Sequence, residues 1–207
     1  MNLRDPWSML AAEKTSGPEN NPVIVTKKTS EMRTERLLLR PLEMGDSGAF
    51  LDIFSDAETL LYWSREPINS IAEAESLLQQ DIEWSASDDC ICLGVALADS
   101  NLIIGKITLF QLSKQNRRAE IGYVLDRRHW GKGYMTEALG WLLAHAFDEM
   151  KLHRLEADTD PDNLPSLALL EKFGFSREGL FRDRWWVHGK WHDSVMLGLL
   201  EVDYRKQ

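Results

Sequence analysis

Apolar residues recur along this chain at two spacings, and the switch between them lays out an order of strands and helices. Residues 1 to about 33 follow neither. Ser16, Gly17, Pro18, Asn20, Asn21 and Pro22 punctuate scattered charges there, and Val23, Ile24 and Val25 form one short apolar run. The expectation is a flexible leader or a partner-docked arm, the second case having Trp7, Met9 and Leu10 against a neighbouring subunit. From Glu35 the texture changes. Leu37, Leu38, Leu39 and Leu42 read as a short strand, and Asp46 offers an N-cap to a helix carrying Phe50, Leu51, Ile53 and Phe54. Ser70 and Glu73 make a capping box before a second helix, whose apolar face holds Ile71, Ala74, Leu77, Leu78, Ile82 and Trp84.

Three strands are predicted at 90–97, 102–112 and 118–125, parted by Asp99-Ser100-Asn101 and Lys114-Gln115-Asn116-Arg117, as an antiparallel meander. A strong helix follows over about 133–149, with Met135, Ala138, Leu139, Leu142, Leu143 and Ala146 on one stripe that must cover a sheet. Then come a strand at about 153–158 and a helix opening near Asn163, with Pro165 in its first turn and a stop at Gly174. A closing hairpin, 176–187 and 190–199, turns through His188-Gly189. This order predicts an α/β (α+β) domain over 34–203 with a short tail at 204–207: a mixed, mostly antiparallel sheet with helices on both faces.

Length and charge narrow the partners. A chain of 207 residues can bury roughly 70% of its unfolded surface and needs no disulfide or metal for a core. With 24 Lys and Arg against 33 Asp and Glu, the net charge of -9 repels phosphate backbones and draws cations, which disfavours nucleic acid and favours amines. Cys90 and Cys92 have no second cysteine pair at zinc-ribbon spacing, and even with His188 and His192 they make a poor zinc set, so no metal is expected. Glu13, Lys14 and Glu19 break any signal-peptide pattern, and no run of eighteen uncharged apolar residues exists, so the expectation is a cytoplasmic protein with no membrane partner.

The segment Val124 to Glu137 carries the chemistry. It passes from a strand through Gly131 and Gly133 into the strong helix, where free N–H groups and the positive dipole end meet Arg128 and Lys132. Such a turn suits a diphosphate, although two glycines also make a tight turn with no ligand. A P-loop would need Gly-Lys-Ser or Gly-Lys-Thr, and a dinucleotide fingerprint would need glycine at Thr136, so both are disfavoured.

Arg128-x-x-Gly131-x-Gly133 resembles the acyl-CoA pyrophosphate loop of the GNAT superfamily of N-acetyltransferases. Thr34-Glu35-Arg36-Leu37-x-Leu39-Arg40, Ala119 to Tyr123, Asn163-x-x-Ser166, Glu171 to Phe175 and Gly189 to Asp193 are similar, in order, to segments of its RimJ/RimL-like branch, the ribosomal-protein alanine N-acetyltransferases. The resemblance implies a twisted sheet whose fourth and fifth strands splay to admit the pantetheine arm of acetyl-CoA, the expected cosubstrate. It implies that Val124 and Leu125 offer backbone partners to pantetheine, and that Arg128, His129, Trp130, Gly131, Lys132, Gly133 and Tyr134 wrap the pyrophosphate. Asn163 and Ser166 would hold the pantetheine near the departing thiol, with Lys172 toward the nucleotide end. Asn163 also reads as a plain helix cap, and Ser166 as an ordinary first-turn serine.

The implied reaction is direct attack of an uncharged amine on the thioester in a ternary complex. Glu120 is the candidate base, with an ion pair to Arg117 or Arg118 as its structural alternative, and Ser166 the candidate donor to the leaving sulfur. Strand alternation sends Glu120, Gly122 and Val124 to one face, and Ala119, Ile121, Tyr123 and Leu125 to the other. Trp63 and Arg65, beside Glu66, are expected on one wall of the acceptor cleft, with Trp186 and Asp193 on the other; the hairpin tryptophans fit a core or dimer interface equally well. An N-terminal amine, titrating near 7.7–8.0, is the favoured acceptor over a lysine near 10.4. A small-molecule amine, or a non-catalytic acyl-CoA-binding module, is the rival reading. Both monomer and homodimer fit.

Overall fold

A computed structural model describes residues 31–87 and 90–206, so the expectations for residues 1–30 lie outside the described residues. The strands are β1 (Met32–Arg33), β2 (Leu37–Arg40), β3 (Ile91–Leu97), β4 (Ile103–Ser113), β5 (Arg118–Leu125), β6 (Arg154–Thr159), β7 (Ser176–Val187) and β8 (Lys190–Leu200). They form one sheet in the order β1-β2-β3-β4-β5-β6-β8-β7. Every pairing is antiparallel except β5 with β6. The helices are α1 (Ser47–Phe54), α2 (Ile71–Ser85), α3 (Tyr134–Ala144), α4 (Leu164–Lys172) and α5 (Glu201–Tyr204). The sheet thus starts two residues before the expected boundary, and Tyr204, expected in the tail, stacks on buried Phe147 at 4.9 Å.

The predicted faces pack as two cores. On one, Met135, Ala138, Leu139, Leu142 and Leu143 of α3 and Leu167 and Leu170 of α4 cover Leu37, Leu39, Ile107, Ile121 and Leu155. On the other, Phe50, Ile53 and Phe54 of α1 and Ala74, Leu77 and Leu78 of α2 cover Cys92, Phe110 and Val124.

Local departures have local causes. Asp46 precedes α1 without capping it, because its carboxylate takes the guanidinium of buried Arg40 at 2.7 Å and the Glu43 N–H at 2.9 Å. Ser70 does cap α2, accepting from the Glu73 N–H at 3.3 Å, while Glu73 reaches back to the Asn69 N–H at 3.0 Å. Ile71, expected on the apolar face of α2, is exposed, and Asp81 is buried in that face instead. The helix expected to run to 149 ends as α-helix at Ala144 and finishes in one π turn, His145–Glu149. His188 and Gly189 take φ of 48° and 77°, as the tight turn requires.

One feature of the sheet positions everything functional. β5 and β6 pair through three residues, Arg118, Ala119 and Glu120 against Arg154, Leu155 and Glu156. Beyond these, β5 stays with β4 and β6 stays with β8, so a gap opens in the middle of the sheet.

Candidate active site

The gap leads into a cleft of about 340 Å³ lined from both faces of the sheet. Alternation on β5 is as predicted: Ala119, Ile121, Tyr123 and Leu125 belong to the α3/α4 side, and Val124 to the α1/α2 side, which Glu120 shares by parity. Tyr123, Asn163 and Ser166 therefore border the cleft from one face. Glu120, Asp158, Trp63 and Trp185 border it from the other. Two molecules can approach one point from opposite sides.

On the α4 side, Asn163 Oδ1 accepts the Ser166 N–H at 3.2 Å, so the predicted cap is made and also fixes the serine. Ser166 Oγ lies 2.7 Å from Tyr123 Oη. Burial pushes the Tyr123 phenol up to about 12, so it stays a neutral hydroxyl. The one trace of Tyr123 in the sequence is its alternation with Glu120, which sends it to the opposite face of β5.

On the opposite face, Glu120 Oε2 accepts from Gln111 Nε2 at 3.0 Å; Gln111, exposed at the cleft rim, has a φ of 51° where the register at the end of β4 is irregular. The ion-pair alternative for Glu120 is not what forms. Arg118 bonds Glu156, and Arg117 donates to the Lys151 carbonyl at 2.8 Å. Burial, then the nearby Asp158 carboxylate, push Glu120 up to about 7 against the opposing pull of Arg184.

The expected acceptor walls are partly redrawn. Trp63 and Asp193 line the cleft, but Arg65 does not; its guanidinium lies over the Phe54 ring, 5.5 Å from the centroid. Trp186 faces outward, 47% exposed and edge-on to Trp191, and its neighbour Trp185 lines the cleft in its place. A register shift in β7, with Asp183 at φ 51°, brings both Arg184 and Trp185 onto Asp158 Oδ2, at 2.8 and 3.3 Å. Asp160 holds His192 at 2.9 Å. Asp158 and Asp160 were not anticipated, because the pairing of β6 beside β5 is a non-local fact.

The anion loop is preorganised by its own carboxylate. Asp126 Oδ1 accepts the Arg128 N–H at 2.8 Å, forming a short 3₁₀ turn over Arg127–His129. Gly131 and Gly133 sit at φ of 70° and 80°, where side-chain-bearing residues are strained, and a Cβ on Gly131 would meet nothing within 4 Å. Glu137 N–H makes the first intrahelical bond to Gly133 O at 3.1 Å, and glycine offers α3 no side-chain cap. The N–H groups of the first turn thus face outward at a positive helix end. This cradle fits a diphosphate, and the gap fits the extended arm of acetyl-CoA.

The residues expected at that cosubstrate are disposed differently about the gap and the loop. Asp126 N–H donates to Ile104 O at 2.8 Å and Val124 stands opposite Lys106, so antiparallel alternation turns the Val124 main chain toward β4 and those of Tyr123 and Leu125 toward the gap. Of the two residues expected to offer backbone partners, only Leu125 has its main chain toward the gap; that of Val124, whose side chain is also buried, is paired with β4. The Leu125 carbonyl accepts from Trp130 Nε1 at 2.7 Å, which leaves its N–H facing the gap. Arg128 has its guanidinium on Asp126 and on Asp52, at 2.5 and 2.9 Å, rather than on the loop's open side. His129 packs 5.9 Å from the Tyr134 ring, and burial holds its pKa below the usual value. Lys172 is exposed in the last turn of α4, at the far end from Ser166.

Cys90 and Cys92 are buried under α2, and burial pushes the Cys92 thiol up to about 12. His188 is bonded to Glu66, away from both. Among the described residues, no group of three or more metal-ligating side chains is clustered, and no helix is long and apolar enough to cross a membrane.

Comparison with known proteins agrees with this geometry. The uncharacterized N-acetyltransferase p20 of Bacillus licheniformis is 34% identical over 171 residues, covering 83% of this chain and 96% of its own. Among solved structures, the spermidine N-acetyltransferase of Vibrio cholerae in complex with CoA and spermine matches with a TM-score of 0.72 at 25% identity, over 83% of this chain and 99% of that one. Mycobacterium smegmatis RimJ in complex with CoA-disulfide matches with a TM-score of 0.71 at 26% identity, over 79% and 81%. The family model described as the acetyltransferase (GNAT) domain matches residues 36–176, and with it the splayed strands and glycine loop place the chain in the GNAT family of acetyl-CoA-dependent N-acetyltransferases.

Proposed function

We propose that this enzyme acetylates the α-amine of a peptide or protein N-terminus, by direct attack in a ternary complex. The observation that carries the reading is the Glu120 carboxylate, half-buried in the cleft with its pKa pushed up to about 7 by burial and by Asp158. A base near 7 is matched to an α-ammonium of about 7.7–8.0 and sits about three units below a lysine ammonium. Above pH 7 it is ionised, and taking the proton frees the amine to attack the thioester carbonyl. The tetrahedral intermediate then breaks its C–S bond, the thiolate taking a proton through the hydroxyl of Ser166, held by Asn163 and Tyr123, as the nitrogen releases its second proton. Asp160 and Asp193, with the rings of Trp63 and Trp185, line the cleft beside the Asp158–Arg184 pair and set carboxylates and aromatic faces where a cation would stand.

A second reading is favoured by the same acidic wall. Several carboxylates around one cleft also suit a small amine with more than one charge, and the spermine-bound neighbour has this fold.

The test is thiol release from acetyl-CoA with N-terminal peptides, Nα-blocked lysine peptides, polyamines and aminoglycosides. N-terminal peptides are expected to give the highest kcat/KM, rising with pH through about 7, and Glu120→Gln is expected to remove that rise. A polyamine or a blocked lysine peptide with the higher kcat/KM would overturn the α-amine reading.

A further inference from the structure

The side chains that the loop sequence offers as positive charge have partners of their own. Arg128 is bound by Asp126 and Asp52, and Lys132 Nζ folds back onto the Arg128 carbonyl at 2.8 Å. A cation from a distant segment stands at the same helix end. Arg36 lies ahead of β2, where Thr34 and Leu37 close a turn: Thr34 N–H donates to Leu37 O at 2.9 Å, and Leu37 N–H to Thr34 Oγ1 at 3.0 Å. That turn is seated on the first turn of α3. Glu137 Oε1 accepts from Thr34 Oγ1 and from the Arg36 N–H, and Glu137 Oε2 accepts from Arg36 Nε at 2.7 Å.

The rest of the guanidinium reaches past Glu137 to the loop itself. Arg36 Nη1 donates to the Lys132 carbonyl at 2.9 Å, and the group lies over the Tyr134 ring, 4.8 Å from its centroid. Arg36 Nη2 lies 3.4 Å from where a Cβ on Gly133 would stand. It is therefore beside the left-handed residue whose successors present the free N–H groups of α3.

We infer that Arg36, from the segment before β2, is a diphosphate-binding residue of the CoA site, its Nη2 edge completing the anion cradle whose floor is the Gly131–Tyr134 main chain. The inference rests on the loop holding the diphosphate of acetyl-CoA. Glu137 is the positioning residue. It fixes one edge of the guanidinium so that the opposite edge faces the loop, a division that the planar fork of arginine allows and a lysine ammonium does not. Arg36 bonds to the loop carbonyl and charges the loop at once, so the same side chain shapes the cradle and supplies its cation.

The diphosphate can be separated from the 3′-phosphate and from general folding by truncating the ligand. Calorimetric Kd values for CoA and dephospho-CoA would be measured on the wild type and on Arg36→Met, with the ratio of kcat/KM for acetyl-dephospho-CoA over S-acetylpantetheine. Thermal unfolding of both proteins would be followed alongside. Loss of one charge-assisted contact is expected to raise both Kd values by the same factor, on the order of tenfold, and to lower the ratio to a similar degree. Unchanged Kd values would overturn the inference. So would a rise for CoA alone, which would place Arg36 on the 3′-phosphate, or an equal loss with S-acetylpantetheine, which would make the residue a structural brace. Failure of the wild type to bind any CoA species would instead sink the cosubstrate reading of the loop.

Discussion

Tyr123 Oη and Ser166 Oγ, 2.7 Å apart, tie β5 to the first turn of α4 across the gap between β5 and β6. Each comes from an element the sequence laid out correctly, yet their meeting depends on how far β6 follows β5. The Ser166 main chain is fixed independently by Asn163. The phenol therefore acts on the direction of the serine O–H and not on the position of the serine.

Tyr123→Phe is expected to lower kcat about fivefold, the worth of one neutral hydrogen bond, with little change in KM for acetyl-CoA. Ser166→Ala is expected to cost as much or more. In the double variant the two losses should not add, because the phenol has nothing to orient once the serine is gone. Steady-state kinetics of the four proteins decide it, and additive losses would separate the two hydroxyls.

Glu120 also makes stability depend on pH. Its folded pKa of about 7 lies above the model-peptide value near 4.3, so the folded state binds a proton more tightly than the unfolded chain. The stabilisation from this group is fully present below about pH 4.3 and is lost as pH rises to about 7. Glu120→Gln is expected to be more stable than the wild type at pH 8, on the order of 1–3 kcal/mol, with the difference vanishing toward pH 4. Urea unfolding at pH 5, 6.5 and 8 measures it. A variant destabilised at pH 8 would mean that Glu120 is held as a favourable ion in the folded protein.

Much of this fold was legible because its signals are local. The meander is written in alternating residues broken by polar turns, α4 in Asn163, Pro165 and Gly174, and the final turn in His188-Gly189. The glycine loop was legible as well, because left-handed φ leaves its trace as Gly131 and Gly133. What stayed hidden depends on register or on distant partners. Asp46 has the composition of a cap and is drawn off by Arg40; Trp185 lines the cleft where Trp186 was expected, in a strand whose pairing with β8 takes up two extra residues between Phe181 and Trp185. Asp158 joins Glu120 only through the parallel pairing of β5 with β6, and nothing in a strand of alternating residues announces its neighbour.

The Lys106–Asp81 pair was equally hidden, and it bears on the acceptor wall. Lys106 Nζ lies 2.6 Å from Asp81 Oδ2, with both side chains buried between β4 and α2. The ammonium also lies 5.6 Å from the Phe54 ring and 5.9 Å from that of Trp63, which lines the cleft. Lys106→Met strands a buried carboxylate and is expected to cost about 3–5 kcal/mol. Replacing both, as Lys106→Met with Asp81→Leu, removes both desolvation penalties and should recover most of that loss in urea unfolding. The double variant is still expected to raise the acceptor KM several-fold with KM for acetyl-CoA near wild type, because Trp63 loses the cation it packs against while the glycine loop is untouched. A double variant no more stable than the single would show that the pair is held by other partners. An unchanged acceptor KM would show that Trp63 is positioned without it.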